Sequence, residues 1–178
     1  MEWSPQAKQV FQTQSYAPRP AIEGVEILPL TRFQDDGGSM TELARLVDGV
    51  PKALAGFTVR QINFSEVEPG AIKAFRLHAR QTDVWFVPPT DRLLLVLADV
   101  RKGSRTEGTT MRLMLGHGAS RLVRIPPGVA HGVRNLGTAA GRIIYFTDVH
   151  FSPDPADCDE GRLPWDYLGA DVWDVTRG

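Results

Sequence analysis

Residues Ile125-Pro126-Pro127-Gly128-Val129-Ala130-His131-Gly132-Val133-Arg134-Asn135 constrain this chain more than any other stretch. An alternating run, Arg121-Leu122-Val123-Arg124-Ile125, leads into them, and an apolar run, Arg142-Ile143-Ile144-Tyr145-Phe146, follows. Proline fixes φ at the turn and glycine supplies the corner with positive φ. A tight turn that returns one histidine into a strand aims an imidazole at the inside of a small β-barrel. The plainer reading is a hairpin whose histidine is a hydrogen-bonded structural residue.

The surrounding pattern is β almost throughout. From Gly56 onward, apolar or alternating runs cover Phe57–Phe64, Ala71–His78, Val84–Val87, Leu93–Val100, Met111–Leu115, Leu122–Ile125, Gly132–Arg134 and Ile143–Phe151. Turn signals such as Glu68-Pro69-Gly70, Lys102-Gly103-Ser104 and Gly116-His117-Gly118 separate them. Many short strands at this spacing mean a sandwich or barrel, and no segment has the length of a crossover helix. Upstream, Val25 to Leu30 reads as a strand, Gln34 to Ser39 as a turn, and Glu42 to Val50 as either a short helix or a strand. Residues 1–24, with Pro5, Pro18 and Pro20, read as an irregular arm, and 25–151 as the barrel. The tail, 152–178, is acidic but carries Trp165 and Trp173, so it is expected to pack on the barrel or on a partner subunit.

Composition narrows the function. Formal net charge is -1 with no long run of either sign, which excludes the basic footprint of a nucleic-acid binder. No apolar stretch reaches the length of a membrane span, and the N-terminus lacks the features of a signal peptide. A single cysteine, Cys158, leaves no intramolecular disulfide and no multi-cysteine zinc site. A cytoplasmic protein is the expectation.

Three strands carry candidate chemistry. Arg76 and His78 share one face of the first, because side chains alternate with period two, while Lys73 falls on the other face of a regular strand. His131 lies in the second, with Arg124 on the strand before it, and Tyr145 lies in the third. An arginine, two histidines and a tyrosine facing one cavity would form an acid/base and anion-binding set.

Read together, these motifs resemble the second signature of the cupin superfamily, Pro-x-Gly-x-x-His-x-x-x-Asn, in Pro126 to Asn135. Their order from Gln34 to Trp173 resembles the dTDP-4-dehydrorhamnose 3,5-epimerase family, cupins acting on nucleotide-linked 4-keto sugars. The family's Gln-x-Asn-x-Ser strand is matched by Gln61-Ile62-Asn63-Phe64-Ser65, its Pro-x-Gly-x-x-His-Gly turn by Pro126 to Gly132, and its acid tyrosine by Tyr145. Asp35 to Glu42 occupies the place of its nucleotide-contacting N-terminal segment, and Trp165-Asp166 through Trp173 the place of its closing Trp-Asp segment. The resemblance implies an all-β fold, a cupin-type double-stranded β-helix (a jelly-roll barrel) with an N-terminal arm and a packed C-terminal tail. It implies a cofactor-free isomerase acting on a dTDP-linked sugar; a homodimer is expected separately, because dimers are the common closed assembly and exposed edge strands invite pairing. The implied substrate-binding residues are Gln61, Asn63, Glu42, Arg124 and His131.

The chain also departs from that pattern. Arg76 stands where the family has its catalytic histidine, and arginine stays protonated far above neutral pH. Gly37 replaces a phosphate-binding arginine, and Asp83 falls where the family has an active-site lysine. The expected catalytic set is therefore His78 as displaced base, Tyr145 as acid, Lys73 or Arg76 as the cation at the enolate, and Asp166 orienting His78. Two other readings stay open. His78, Asp83 and His131 would make the two-histidine, one-carboxylate site of a metal-dependent cupin oxygenase, against which Arg76 counts by its charge; the expectation is no metal. The missing base also fits a sugar-binding cupin without catalysis.

Overall fold

The computed structural model describes residues 2–175. A short helix, α1 (Pro5–Val10), lies in the arm, and the chain then forms β1 (Glu26–Pro29), β2 (Arg32–Asp35), β3 (Gly38–Thr41), β4 (Leu46–Val47) and β5 (Val50–Pro51). The barrel strands are β6 (Gln61–Val67), β7 (Ile72–Leu77), β8 (Asp83–Phe86), β9 (Arg92–Asp99), β10 (Thr110–Gly116), β11 (Arg121–Ile125), β12 (Val129–Asn135) and β13 (Gly141–Thr147). In the tail, β14 (Gly161–Arg162) precedes a 3₁₀ turn at Ala170–Trp173. The end positions Met1 and 176–178, part of the expected arm and tail, lie outside the described residues.

Two antiparallel five-stranded sheets face each other, in the orders β1-β11-β8-β13-β6 and β10-β9-β12-β7-β14. This is the expected jelly-roll architecture. Period-two alternation sorts each strand into an inner and an outer face. Leu93, Leu95 and Leu97 of β9 join Trp85, Val123, Ile125, Val133 and Ile143 between the sheets. Leu94, Val96 and Ala98 of the same strand point outward onto Phe75 and Trp173. The outer face of the other sheet buries Val84, Phe86, Leu122 and Phe146 under Leu54 and Phe57. None of the described helices is long and apolar enough to cross a membrane.

Several local expectations change. Gln34 to Ser39 is the tip of a hairpin, β2–β3, rather than an isolated turn, and Glu42 to Val50 resolves toward strand through the β4–β5 pair. Strand β6 begins only at Gln61, and β13 ends at Thr147, short of Phe151. Thr147 Oγ1 bonds the Val149 carbonyl at 2.8 Å, a local turn that takes the chain out of the sheet.

Candidate active site in the barrel cavity

The turn before β12 forms as its residues dictate: Gly128 takes φ 75°, and Asn135 closes the far end of the strand by donating to the Val67 and Ala139 carbonyls. Between these points β12 runs beside β7 with an irregular register. His131 pairs with Arg76, while Val133 pairs with Lys73, so two residues on β12 span three on β7. The extra residue is a β-bulge, which re-aims side chains. It brings Lys73 and Arg76 to one cavity, where a regular strand would separate them. Gly132 is required beside it, because a Cβ there would come within 2.3 Å of the Ala74 Cβ.

The cavity runs from the barrel interior to its mouth. Its deep part is lined by Ser65, Lys73, Arg76, Trp85, His131 and Tyr145 over an apolar floor of Val133 and Ile143. Its outer part is lined by Gln61, Asn63, Gln81, Phe151 and Glu160, with Arg76 and Tyr145 shared between the two. Gln61 Nε2 donates to Asn63 Oδ1 at 2.8 Å, leaving the Asn63 amide hydrogens for a ligand. Arg76 Nη1 lies 3.4 Å from the Tyr145 hydroxyl, and the guanidinium carbon 5.7 Å from the ring centroid. Burial works against the Arg76 charge, but Tyr145, Glu160 and Asp83 more than offset it, so the guanidinium is held above its ordinary pKa. A base at this position is therefore excluded.

Asp83 is the buried anion of the site. Its Oδ1 accepts from Gln81 Nε2 at 2.7 Å and its Oδ2 from the Trp85 indole at 3.0 Å. His131 Nε2 lies 3.4 Å from Oδ2, and His78 Nε2 lies 3.9 Å from it. Burial raises the Asp83 pKa, yet His131 first, then His78 and the Trp85 N–H, bring it below the usual carboxylate value. His78, Asp83 and His131 together have the donor types and spacing to hold a metal ion.

Several expected site residues stand elsewhere. His78 does not line the cavity: it is 2 % exposed, its Nδ1 meets the Asp159 carbonyl at 2.7 Å, and its Nε2 faces Asp83. Asp166 does not orient it; that carboxylate sits in an exposed turn, and the tail residue reaching His78 is Asp159, whose carboxylate accepts from the Ala79, Arg80 and Gln81 amides. Arg124 points to the outer face, because Val123 and Ile125 take the inner positions, and it pairs with Glu26 at 3.1 Å. Glu42 pairs with Arg45 at 2.8 Å on the surface, away from the cavity. Sequence reading missed Trp85, Gln81, Glu160 and Asp159. The period of β8 could have signalled Trp85, two residues after Asp83; no local signal brings residues 159 and 160 back across the barrel.

The model of the dTDP-4-dehydrorhamnose 3,5-epimerase family matches residues 19–166. The chain belongs to this family. It is 40 % identical over 145 residues to the spore coat polysaccharide biosynthesis protein SpsL of Bacillus subtilis strain 168, covering 82 % of this chain and 91 % of that one. Among solved structures, it resembles a dTDP sugar isomerase from Desulfovibrio desulfuricans G20, with TM-score 0.72, 28 % identity and coverage of 83 % and 88 %. It also resembles the dTDP-4-dehydrorhamnose 3,5-epimerase of Bacillus anthracis strain Ames with TDP and PPi bound, with TM-score 0.68, 26 % identity and coverage of 86 % and 87 %.

Proposed function

We propose that this cavity binds a dTDP-linked 4-keto-6-deoxysugar and epimerises it by proton transfer beside the keto group. The observation that carries this reading is the placement of His131 and Tyr145 on facing sheets with Arg76 between them. A 4-keto group acidifies the C3 and C5 hydrogens. A neutral imidazole on one wall takes such a proton, and a tyrosine hydroxyl on the other returns one to the opposite face. The Arg76 guanidinium stabilises the enolate oxygen formed in between. His131 takes the role of base, because its ring lines the cavity while His78 lies behind it. Its Nδ1 is held by the Val129 carbonyl, so Nε2, which has no hydrogen-bond partner among the described residues, takes the proton, and Asp83 3.4 Å away stabilises the imidazolium. Lys73 donates to the Glu66 carbonyl at 2.5 Å and stands ready at the cavity wall for an anionic group.

The test is exchange of sugar C3 or C5 hydrogens with solvent deuterium, which reports abstraction before any product is named. The wild-type protein, treated with chelator, is expected to exchange, and His131→Asn to lose roughly 10²–10⁴-fold. No exchange by the wild type with any dTDP-linked 4-keto-6-deoxysugar leaves the binding-only reading.

The assembly we propose is a homodimer acting in the cytoplasm. Ile62 and Phe64 share the outer face of edge strand β6 and are 59 % and 60 % exposed, and Phe33 and Met40 of the β2–β3 hairpin are equally bare. Such an apolar edge is favoured to pair with a second copy. Light scattering is expected to give twice the chain mass, and Phe64→Glu to give monomer.

A further inference from the structure

The loop between β7 and β8 is held by a residue from the far end of the chain. Ala79, Arg80 and Gln81 aim three successive backbone amides at one carboxylate, that of Asp159 in the tail, at 3.1, 2.9 and 2.8 Å. Successive N–H groups converging on an anion form a nest, and the charge strengthens each bond. The Asp159 side chain is 11 % exposed, so these bonds are largely shielded from water. The backbone carbonyl of the same residue meets His78 Nδ1 at 2.7 Å.

Pairing of the tail with β7 sets Asp159 in this place. Two residues on, β14 runs antiparallel to β7, with Gly161 opposite Leu77 and Arg162 opposite Arg76. Gly161 lets the strands close, since a Cβ there would come within 2.7 Å of the Leu77 carbonyl oxygen.

From this anchor a chain of contacts reaches the base. Gln81 is buried, and its Nε2 donates to Asp83 Oδ1 at 2.7 Å. The second oxygen, Oδ2, accepts from the Trp85 indole at 3.0 Å and lies 3.4 Å from His131 Nε2. Asp83 and Trp85 belong to one strand, so the sheet fixes them together. Gln81 is the donor that the loop carries, and the loop is placed by Asp159. We propose that Asp159 is a positioning residue, which fixes the Asp83 carboxylate beside His131 by holding the backbone of Gln81. Its consequence for catalysis rests on the epimerase reading, while its consequence for Asp83 is read without sugar.

The Trp85 indole proton reports the carboxylate directly, because a hydrogen bond to Oδ2 deshields it and slows its exchange with solvent. In isotope-labelled protein without sugar, Asp159→Ala is expected to move this signal upfield and to speed its exchange. Gln81→Leu should move it the same way. The Trp173 indole, bonded to the Trp165 carbonyl farther along the tail, should stay in place and so shows that each variant is folded with its tail packed. With a dTDP-linked 4-keto-6-deoxysugar, Asp159→Ala should lower kcat for hydrogen exchange roughly 10–100-fold and leave KM nearly unchanged, since a misplaced base loses rate rather than affinity. The double variant should fall no further than Gln81→Leu, because both residues act along one path. An unchanged Trp85 signal in folded Asp159→Ala overturns the proposal, whether or not the wild type exchanges sugar hydrogens. A raised KM with kcat unchanged would make Asp159 a binding contact and overturns it too. Should Asp159→Ala fail to fold, the isosteric Asp159→Asn decides, because it turns one acceptor oxygen into an amino group facing an amide. An unmoved Trp85 signal in that variant overturns the proposal equally.

Discussion

Arg76 Nη1 approaches the Tyr145 hydroxyl to 3.4 Å across the gap between the two sheets. A tyrosine that gives up its proton beside a guanidinium leaves a phenolate next to a fixed cation, which lowers the cost of donation. The two residues are thus expected to fail differently. Tyr145→Phe should keep hydrogen exchange largely intact while suppressing net inversion, because abstraction precedes reprotonation. Arg76→Leu should reduce exchange itself by about 10²–10³-fold, since the enolate loses its partner. Measuring exchange and inversion on the same samples separates these outcomes. Equal loss of both in Tyr145→Phe would remove the tyrosine from the role of acid.

The mouth of the cavity makes a second prediction. Gln61 and Asn63 present their amides there through the inward positions of β6, and Lys73 at the cavity wall supplies a cation for a diphosphate. Excess dTDP is expected to raise the melting temperature, and Asn63→Ala to weaken binding by about 1–2 kcal/mol. Arg124→Ala should leave dTDP affinity unchanged, because that side chain lies on the outer face beside Glu26. Calorimetry with dTDP on these two variants checks both statements.

The strands were readable because their alternation is an intrinsic property of each segment. Leu93 to Val100, for example, shows its length and type without reference to any neighbour. The turn from Pro126 to Asn135 likewise revealed that His131 points inward. Three kinds of information were absent. The β7 bulge depends on how β12 lies alongside, so the sequence of β7 alone put Lys73 on the wrong face and gave no hint that His78 would sit behind His131. The partner of His78 comes from residue 159, 81 positions away, and a long return of the tail leaves no periodic trace that would favour Asp159 over Asp166. Arg124 misled because an alternating strand shows two faces but not which one is inside.

The loop after β9 gives a stability prediction with a pH signature. Asp99 is buried, and it accepts from Arg101 Nε at 2.8 Å and from the Ser104 and Thr106 hydroxyls at 2.6 Å each. Thr106 also receives the Glu23 amide, and Arg101 donates to the Glu23 carbonyl, so one carboxylate anchors the end of the N-terminal arm. The Arg101 hydrogen bond above all, with the two hydroxyls, holds the Asp99 carboxyl far below its usual range. A depressed folded-state value stabilises the fold above the unfolded carboxyl's own pKa, about 3.9, and that contribution drains away as pH falls below it. Asp99→Asn should cost about 3 kcal/mol near neutrality, or roughly 6–12 °C in melting temperature. The gap between variant and wild type should narrow as the pH is lowered through 4. A gap that stays constant from neutral to acid would mean that the carboxylate charge contributes nothing.

The tail supplies the last test. Trp173 is 1 % exposed, its ring lies 5.2 Å from Phe75, and its indole donates to the Trp165 carbonyl at 2.9 Å. It covers the outer face of β7 at the residue next to Arg76, while β14 pairs with the same strand in register at Arg76 and Leu77. The tail is thus the layer that closes the outer side of β7, the strand whose Lys73 and Arg76 line the cavity. Trp173→Ala removes a large buried aromatic and should cost about 3–5 kcal/mol, or roughly 6–20 °C in melting temperature. Because Phe75 loses its cover, β7 should also loosen, and dTDP affinity should fall along with stability. Hydrogen–deuterium exchange of backbone amides locates the effect. Faster exchange is expected over Ile72–Leu77, with β8 and β11 in the other sheet protected as before. If β7 keeps its protection while the melting temperature falls, Trp173 stabilises the fold without supporting the site.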